Sequence, residues 1–200
     1  MNEKPGHIVW HPSQVDCEQR VALFRQRPVT LWMTGLSGAG KSTLAFALEK
    51  QLLTLGHACF VLDGDNIRHG LNQDLGFSPE ARAENIRRIA EVAKLLNAAG
   101  LIVIASFISP YRDDRAKACQ VIGEAAFHEI YISTALEYCE QRDVKGLYQK
   151  ARAGLISDFT GISAPFEAPI DPALSIDTTN LPIEASIAQL LDLLRDNLQP

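Results

Sequence analysis

Eight consecutive residues, Gly35-Leu36-Ser37-Gly38-Ala39-Gly40-Lys41-Ser42, fit the pattern G-x-x-x-x-G-K-[ST]. This pattern constrains the chain because it functions in one setting only, after a strand and at the start of a helix. Both flanks agree. Val29 to Thr34 is a short apolar, β-rich run that stops at Gly35. From Lys41 to Leu55 the period turns helical, with Leu44, Leu48, Leu52 and Leu55 on one stripe and Gly56 as the stop. The glycines let the backbone curl so that N–H groups point inward at phosphate oxygens, and the helix start adds the positive end of its dipole. In such a loop Lys41 reaches the β- and γ-phosphates, Ser42 ligates Mg²⁺ and Thr43 holds the α-phosphate side. The motif calls for a nucleoside triphosphate and leaves the acceptor open.

The rest of the chain repeats the strand–helix alternation. Ala58 to Leu62 reads as a strand ending in the acidic turn Asp63-Gly64-Asp65. Ser78-Pro79 opens a helix with a hydroxyl cap and a proline at its first position. That helix runs to about Ala99, stops at Gly100, and buries Ile86, Ile89, Ala93 and Leu96. Its exposed side offers the i,i+4 pairs Glu84–Arg88 and Arg87–Glu91. Leu101 to Phe107 is a continuous apolar strand, the pattern of a sheet covered on both faces. A polar helix from about Arg112 to Gly123, a strand Phe127 to Ile132, a short helix Leu136 to Arg142, a strand Ala173 to Ile176 and a last helix bearing Ile183, Ile187, Leu190, Leu191 and Leu194 complete the series. The expectation is an α/β fold, a parallel five-stranded sheet wound with helices on both faces.

Two segments stand outside that rhythm. Residues 1 to about 28 form a lead-in, with some helical spacing from Val15 to Phe24, before a single domain over 29–200. Residues of about 145–172 are rich in Gly, Pro and basic side chains and too long for an ordinary connection, as a lid or a disordered loop is.

With 200 residues, 46% of them hydrophobic, the chain has material for one substantial core. A net charge of -5 argues against nucleic acid as a partner, which requires a basic face. No apolar run reaches the roughly 18 to 20 residues of a membrane helix, and Met1 to His11 has no apolar signal-peptide core. Cys17, Cys59, Cys119 and Cys139 show neither C-x-x-C nor zinc spacing, which suits reduced thiols and a cytoplasmic setting. The five histidines show no ligand spacing either.

Many phosphate-binding loops are served by an Asp closing a neighbouring buried strand. Here the strand Leu101 to Phe107 ends without one, and the acids lie at the end of the second strand. Asp63 is therefore the candidate to orient Mg²⁺ water or to take the proton of an acceptor hydroxyl. The same residues also suit a plain turn with a helix cap.

A longer series of strings narrows the reading. It comprises Leu62-Asp63-Gly64-Asp65-Asn66-Ile67-Arg68-His69-Gly70-Leu71-Asn72, Asp74-Leu75-Gly76-Phe77-Ser78, Glu84-Asn85-Ile86-Arg87-Arg88, Phe107-Ile108-Ser109-Pro110-Tyr111-Arg112, Arg142-Asp143, Lys145-Gly146-Leu147-Tyr148, Lys150-Ala151-Arg152 and Phe159-Thr160-Gly161-Ile162-Ser163-Ala164-Pro165-Phe166-Glu167-Ala168-Pro169. In this order, from about Val9 to Leu194, the series resembles the adenylylsulfate kinase family. The resemblance implies a P-loop nucleotide-kinase fold, Mg-ATP as donor, adenosine 5′-phosphosulfate as acceptor, 3′-phosphoadenylyl sulfate as product and a homodimer. It also implies roles. Arg68, Arg82 and Asn85 contact the phosphosulfate, with Asp65 counted among the acceptor-binding residues. Phe77 and Phe166 flank the adenine, and Ile108 and Ser109 line the same pocket. Residues 145–164 form the mobile lid, with Lys145 and Arg152 near ATP. Ser109 stands where the family has a serine described as a phosphoserine intermediate.

The residues themselves agree in part. Planar guanidiniums suit phosphate and sulfate oxygens, and Arg82 and Asn85 share a helix face. Phe77 and Phe166 serve equally as core aromatics. Arg87 and Arg88 read as a solvated face. Pro110 after Ser109 suggests a rigid turn, and no base is adjacent, so Ser109 is expected to position the acceptor. Val144 stands where the family usually has Pro, which loosens the lid's entry, and Ala39 where it more often has Ser. Two rivals stay open: another P-loop small-molecule kinase, acting on a nucleoside monophosphate or a sugar acid, and a non-catalytic nucleotide-binding regulatory domain.

Overall fold

A computed structural model describes residues 8–199. Five parallel strands, β1 (Thr30–Thr34), β2 (Cys59–Asp63), β3 (Ile102–Ser106), β4 (Phe127–Ile132) and β5 (Leu174–Ile176), form one sheet in the order β2-β3-β1-β4-β5. The β1 strand lies at the centre and is buried along its whole length. Side chains alternate across a strand, so it feeds two cores. Leu31 and Met33 pack with Leu44, Leu48 and Leu52 of α2 (Lys41–Thr54) and Leu190 of α7 (Ile183–Leu193). Trp32, on the opposite face, packs with Ile86, Ile89 and Ala93 of α3 (Pro79–Ala98) and Ala118 of α4 (Arg112–Ile122).

The predicted caps form. The Ser78 hydroxyl accepts from the Ala81 N–H at 3.2 Å, and Pro79 is the first residue of α3. Both expected ion pairs are present, although Arg87 lies nearer Glu84 (2.7 Å) than Glu91 (3.9 Å). Within the lead-in, α1 (Cys17–Phe24) opens with a capping box between Asp16 and Gln19. The buried Gln26 then bonds the Ala58 backbone twice and the Gly100 carbonyl, tying the start of the chain to the base of β2 and β3. The Arg27 N–H donates to the Asn197 carbonyl, in α8 (Arg195–Leu198).

Residues 145–172 are partly packed, with Tyr148, Ala151, Phe159 and Thr160 buried and Leu155 and Ile170 exposed. They carry a short helix, α6 (Leu147–Arg152), which follows α5 (Leu136–Arg142). The buried Tyr148 meets Phe159 edge to face, with 5.0 Å between ring centroids. The strand order reverses at β1, and a cleft opens at the carboxyl ends of the strands on either side of it, where open α/β sheets bind ligands.

Candidate active site

The loop between β1 and α2 can be built only from glycines at its tightest points. A Cβ at Gly38 would stand 2.9 Å from the Cys139 carbonyl oxygen, and its φ is 74°. A Cβ at Gly35 would stand 2.5 Å from the Ile132 oxygen. The loop therefore nests on β4 and α5 with no room for side chains. The carbonyl of Ala39 is held by the Thr178 hydroxyl at 2.9 Å and the Thr134 hydroxyl at 3.3 Å. The Ser37 carbonyl accepts from the Tyr148 hydroxyl at 2.8 Å, which joins the loop to α6.

Lys41 is only 8% exposed. Its ammonium donates to the carbonyls of Gly35 (2.9 Å) and Leu36 (2.7 Å), folding back over the loop. Burial pulls its pKa from 10.5 down to about 8, against opposing pulls from Cys139, Asp63 and Asp65. The Ser42 hydroxyl donates to Asp63 Oδ2 at 2.7 Å. The other Asp63 oxygen accepts the backbone N–H groups of Asp65 (3.0 Å) and Asn66 (3.3 Å). Ser106 ends β3 in register with Asp63, its hydroxyl 3.4 Å from that of Ser42. The acid beside the loop thus comes from β2, and a serine fills the place at the end of β3. Among the described residues no three His, Cys, Asp or Glu side chains cluster as a metal site. The Ser42–Asp63 pair is nevertheless a set of hard oxygen donors of the sort Mg²⁺ takes while keeping waters and phosphate oxygens.

The cleft has a volume of about 1190 Å³ and runs from Ser37, Gly38, Gly40 and Lys41 past Asp63 and Asp65 to Arg68, Phe77, Arg82 and Asn85. Ile108 and Ser109 line the cleft, as do Arg142, Lys145, Tyr148 and Thr160. Arg68 donates to the carbonyls of Leu75 and Gly76, and its guanidinium stacks 4.4 Å over the Phe77 ring. Arg82 bonds the carbonyls of Phe77 and Asp158 and the Thr160 hydroxyl, joining α3 to the segment after α6. Neither guanidinium has a carboxylate within ion-pair distance among the described residues. Burial and then the nearby Arg82 lower the pKa of Arg68. Arg87 and Arg88, by contrast, are neutralised by Glu84, Glu91 and Asp74. The cleft thus contains positive charge that an anionic ligand would compensate.

Ser109 is buried in a left-handed conformation, with φ at 37°. Such a backbone costs a non-glycine residue roughly 1–2 kcal/mol and persists where neighbours hold it. Three do. Trp32 Nε1 donates to Ser109 Oγ at 3.1 Å, Thr34 Oγ1 bonds the carbonyls of Ile108 and Ser109, and Arg115 donates to the Ser109 carbonyl at 2.7 Å.

Of the residues the sequence singles out, five lie outside the cleft lining: Gly35, Leu36 and Ala39 in the loop and, beyond it, Arg152 and Phe166. Arg152 is paired with Glu140. Phe166 stacks on Tyr131, 5.9 Å between centroids, beside Arg115. Phe77 does line the cleft and is 64% exposed, so it is not a core aromatic. Lys145 pairs with Asp65 across the cleft mouth, and the neighbouring Val144 is 92% exposed. Arg142 and Thr160 stand in the strings quoted above without an assigned role, and Thr178 carries no signal in the sequence beyond its place after the last strand. Trp32 reads as an ordinary core aromatic.

The adenylylsulphate kinase family model matches residues 27–177. An adenylyl-sulfate kinase of Lactiplantibacillus plantarum is 55% identical over 194 residues, covering 97% of this chain and 94% of that one. The solved Mycobacterium tuberculosis APS kinase, in complex with AMPPNP and APS, superposes with a TM-score of 0.82 at 48% identity, over 85% of this chain and 99% of that one. A hexameric APS kinase from Thiobacillus denitrificans matches 87% of this chain and 30% of its own length, at 36% identity and a TM-score of 0.65.

Proposed function

Since the chain belongs to the adenylylsulphate kinase family, we propose that it transfers the γ-phosphate of ATP to the 3′-hydroxyl of adenosine 5′-phosphosulfate, giving 3′-phosphoadenylyl sulfate and ADP. One observation carries the reading of the site. A phosphate-binding loop with a buried lysine and two guanidiniums without carboxylate partners open onto the same cleft. Two anionic nucleotides can therefore meet there.

Phosphoryl transfer depends chiefly on positioning and on neutralising charge that spreads over the moving group. The loop N–H groups and Lys41 take the donor phosphates, with Lys41 leaving the Gly35 and Leu36 carbonyls. Lys145 and Arg152 approach from the lid, which requires each to leave its carboxylate. Arg68, Arg82 and Asn85 hold the phosphosulfate. Phe77 stacks on the acceptor's adenine, and Phe166 closes over it from the Tyr131 side. Ile108 and Ser109 shape the wall, and Asp63 assists the acceptor hydroxyl. Ser42 and Asp63 would hold Mg²⁺, which supplies charge neutralisation at the phosphates. The transfer is in line, from ATP directly to the hydroxyl.

We assign the reaction to the cytoplasm: among the described residues the cysteines are unpaired and no helix is long and apolar enough to cross a membrane. We also assign it to a homodimer, which sedimentation equilibrium separates from a hexamer such as the Thiobacillus one. The decisive assay is coupled ADP release under Mg-ATP with adenylyl sulfate, AMP and gluconate in parallel. Strong release with adenylyl sulfate alone supports the proposal. Release with AMP or gluconate instead favours another small-molecule kinase, and none with any acceptor favours a regulatory nucleotide-binding domain.

A further inference from the structure

Asn72 ends the string His69-Gly70-Leu71-Asn72 and is fully buried, yet it lies outside the cleft lining. Its side-chain amide bridges two residues of α3. Asn72 Nδ2 donates to Asn85 Oδ1 at 2.9 Å, and Asn72 Oδ1 lies 3.5 Å from Arg88 Nη1. Arg88 is fixed from the other side by Asp74, at 2.8 and 2.9 Å, and by Glu84 at 2.9 Å.

The direction of this chain is set by chemistry. A guanidinium only donates. The Asn72 edge facing Arg88 must then be its oxygen, and the edge facing Asn85 its NH₂. Asn85 in turn must present its oxygen to Asn72. Its own NH₂ is left for the cleft, where it has no partner among the described residues. A reversed Asn72 would set two donors against each other at Arg88. It would also turn the Asn85 oxygen toward the anion site.

We propose that Asn72 is a positioning residue that fixes the polarity of the Asn85 amide, so that Asn85 presents its NH₂ and not its oxygen to the acceptor end of the cleft. Arg68, Arg82 and the Asn85 NH₂ then form a set matched to a group that only accepts, such as a phosphosulfate. This inference rests on the proposed contact between Asn85 and the acceptor.

Asn72→Asp tests it. The carboxylate accepts from Arg88 with one oxygen and from Asn85 with the other, which turns the Asn85 oxygen into the cleft. The KM for adenylyl sulfate should rise on the order of 10- to 100-fold, with the KM for ATP within about twofold. Thermal stability should fall, because Arg88 already carries Asp74 and Glu84 and the buried carboxylate finds no free cation among the described residues. Asn72→Ala removes the constraint without reversing it. It should raise the acceptor KM less than Asn72→Asp.

An acceptor KM that rises while the ATP KM stays fixed separates positioning from a merely structural role, under which both move together. Asn85→Ala separates the two levels of the argument. If Asn85→Ala leaves the acceptor KM unchanged, the contact and the inference both fail. If Asn85→Ala raises it and Asn72→Asp does not, only the inference fails. A readout on the native protein covers variants that do not fold. By side-chain amide hydrogen exchange, Asn72 NH₂ should be protected without ligand and Asn85 NH₂ only once adenylyl sulfate is bound. Protection of Asn85 NH₂ in the free protein overturns the proposal.

Discussion

The indole N–H of Trp32 donates to the hydroxyl oxygen of Ser109, 3.1 Å away. The hydroxyl hydrogen has the Phe107 carbonyl, at 3.4 Å, as its partner. An activated serine requires a base positioned to take its proton, and here a donor occupies the oxygen instead. Ser109 is built as a wall of the pocket.

Ser109→Ala should accordingly keep turnover within about tenfold of the parent, since no covalent step is lost. It leaves the Trp32 N–H without a partner in a buried site, which costs about 1–3 kcal/mol of stability. Rapid-quench labelling should find no phosphoserine during the first turnover. A labelled serine that forms and decays at the catalytic rate would reverse the assignment.

Lys41 carries a pH signature. Its pKa in the folded protein is about 8, against 10.5 when unperturbed. Between those values the unfolded chain binds the proton and the folded chain does not, so this group makes stability rise with pH across that window. Phosphates favour the charged form and draw the proton back. Nucleotide binding at pH 8 should take up about half a proton, read by calorimetry in buffers of different ionisation heat. Lys41→Met should leave stability equal or higher while cutting turnover by roughly 10³-fold. Proton-neutral binding at pH 8.5 would contradict the burial argument.

The cleft arginines and the surface arginines of the same region should behave oppositely. Arg68→Ala and Arg82→Ala each remove a cation without a carboxylate partner, and each should raise the acceptor KM by about 30-fold or more. Arg87→Ala opens exposed pairs worth less than about 1 kcal/mol, so kinetics and stability should hardly move. Equal effects from both groups would mean that overall charge, and not the unpaired guanidiniums, governs acceptor binding.

Local pattern made the strand, the phosphate loop and α2 legible, because motif and period coincide there. The same holds for α3, where Ser78 and Pro79 mark the start and Glu84 finds Arg88. What stayed hidden acts across distance in sequence. Trp32 and Ser109 are 77 residues apart, and Arg82 and Thr160 are 78 apart. Neither pairing leaves a local mark. The short helix α6 has six residues, too few to show a period. Gln26 gives the lead-in an anchoring role through three bonds to backbone that only the folded sheet base brings together.

Arg115 shows how far the wall depends on such distant contacts. It is 3% exposed at its side chain and paired with Glu129. It also donates to the Ser109 carbonyl at 2.7 Å and the Glu167 carbonyl at 2.8 Å. One guanidinium thus joins α4, β4, the strained serine and the segment that carries Phe166. Arg115→Ala leaves the partly exposed Glu129 without its partner and the Ser109 and Glu167 carbonyls without their donor, at about 1–3 kcal/mol for each group left unsatisfied. Arg115→Ala should therefore lower the melting temperature sharply. Arg115→Lys keeps the charge and loses the fork, so it cannot serve Glu129, Ser109 and Glu167 together. It should retain most of the stability yet raise the acceptor KM several-fold, with the ATP KM unchanged. An Arg115→Lys protein with parental kinetics for both nucleotides would show that Ser109 holds its conformation through Trp32 and Thr34 alone.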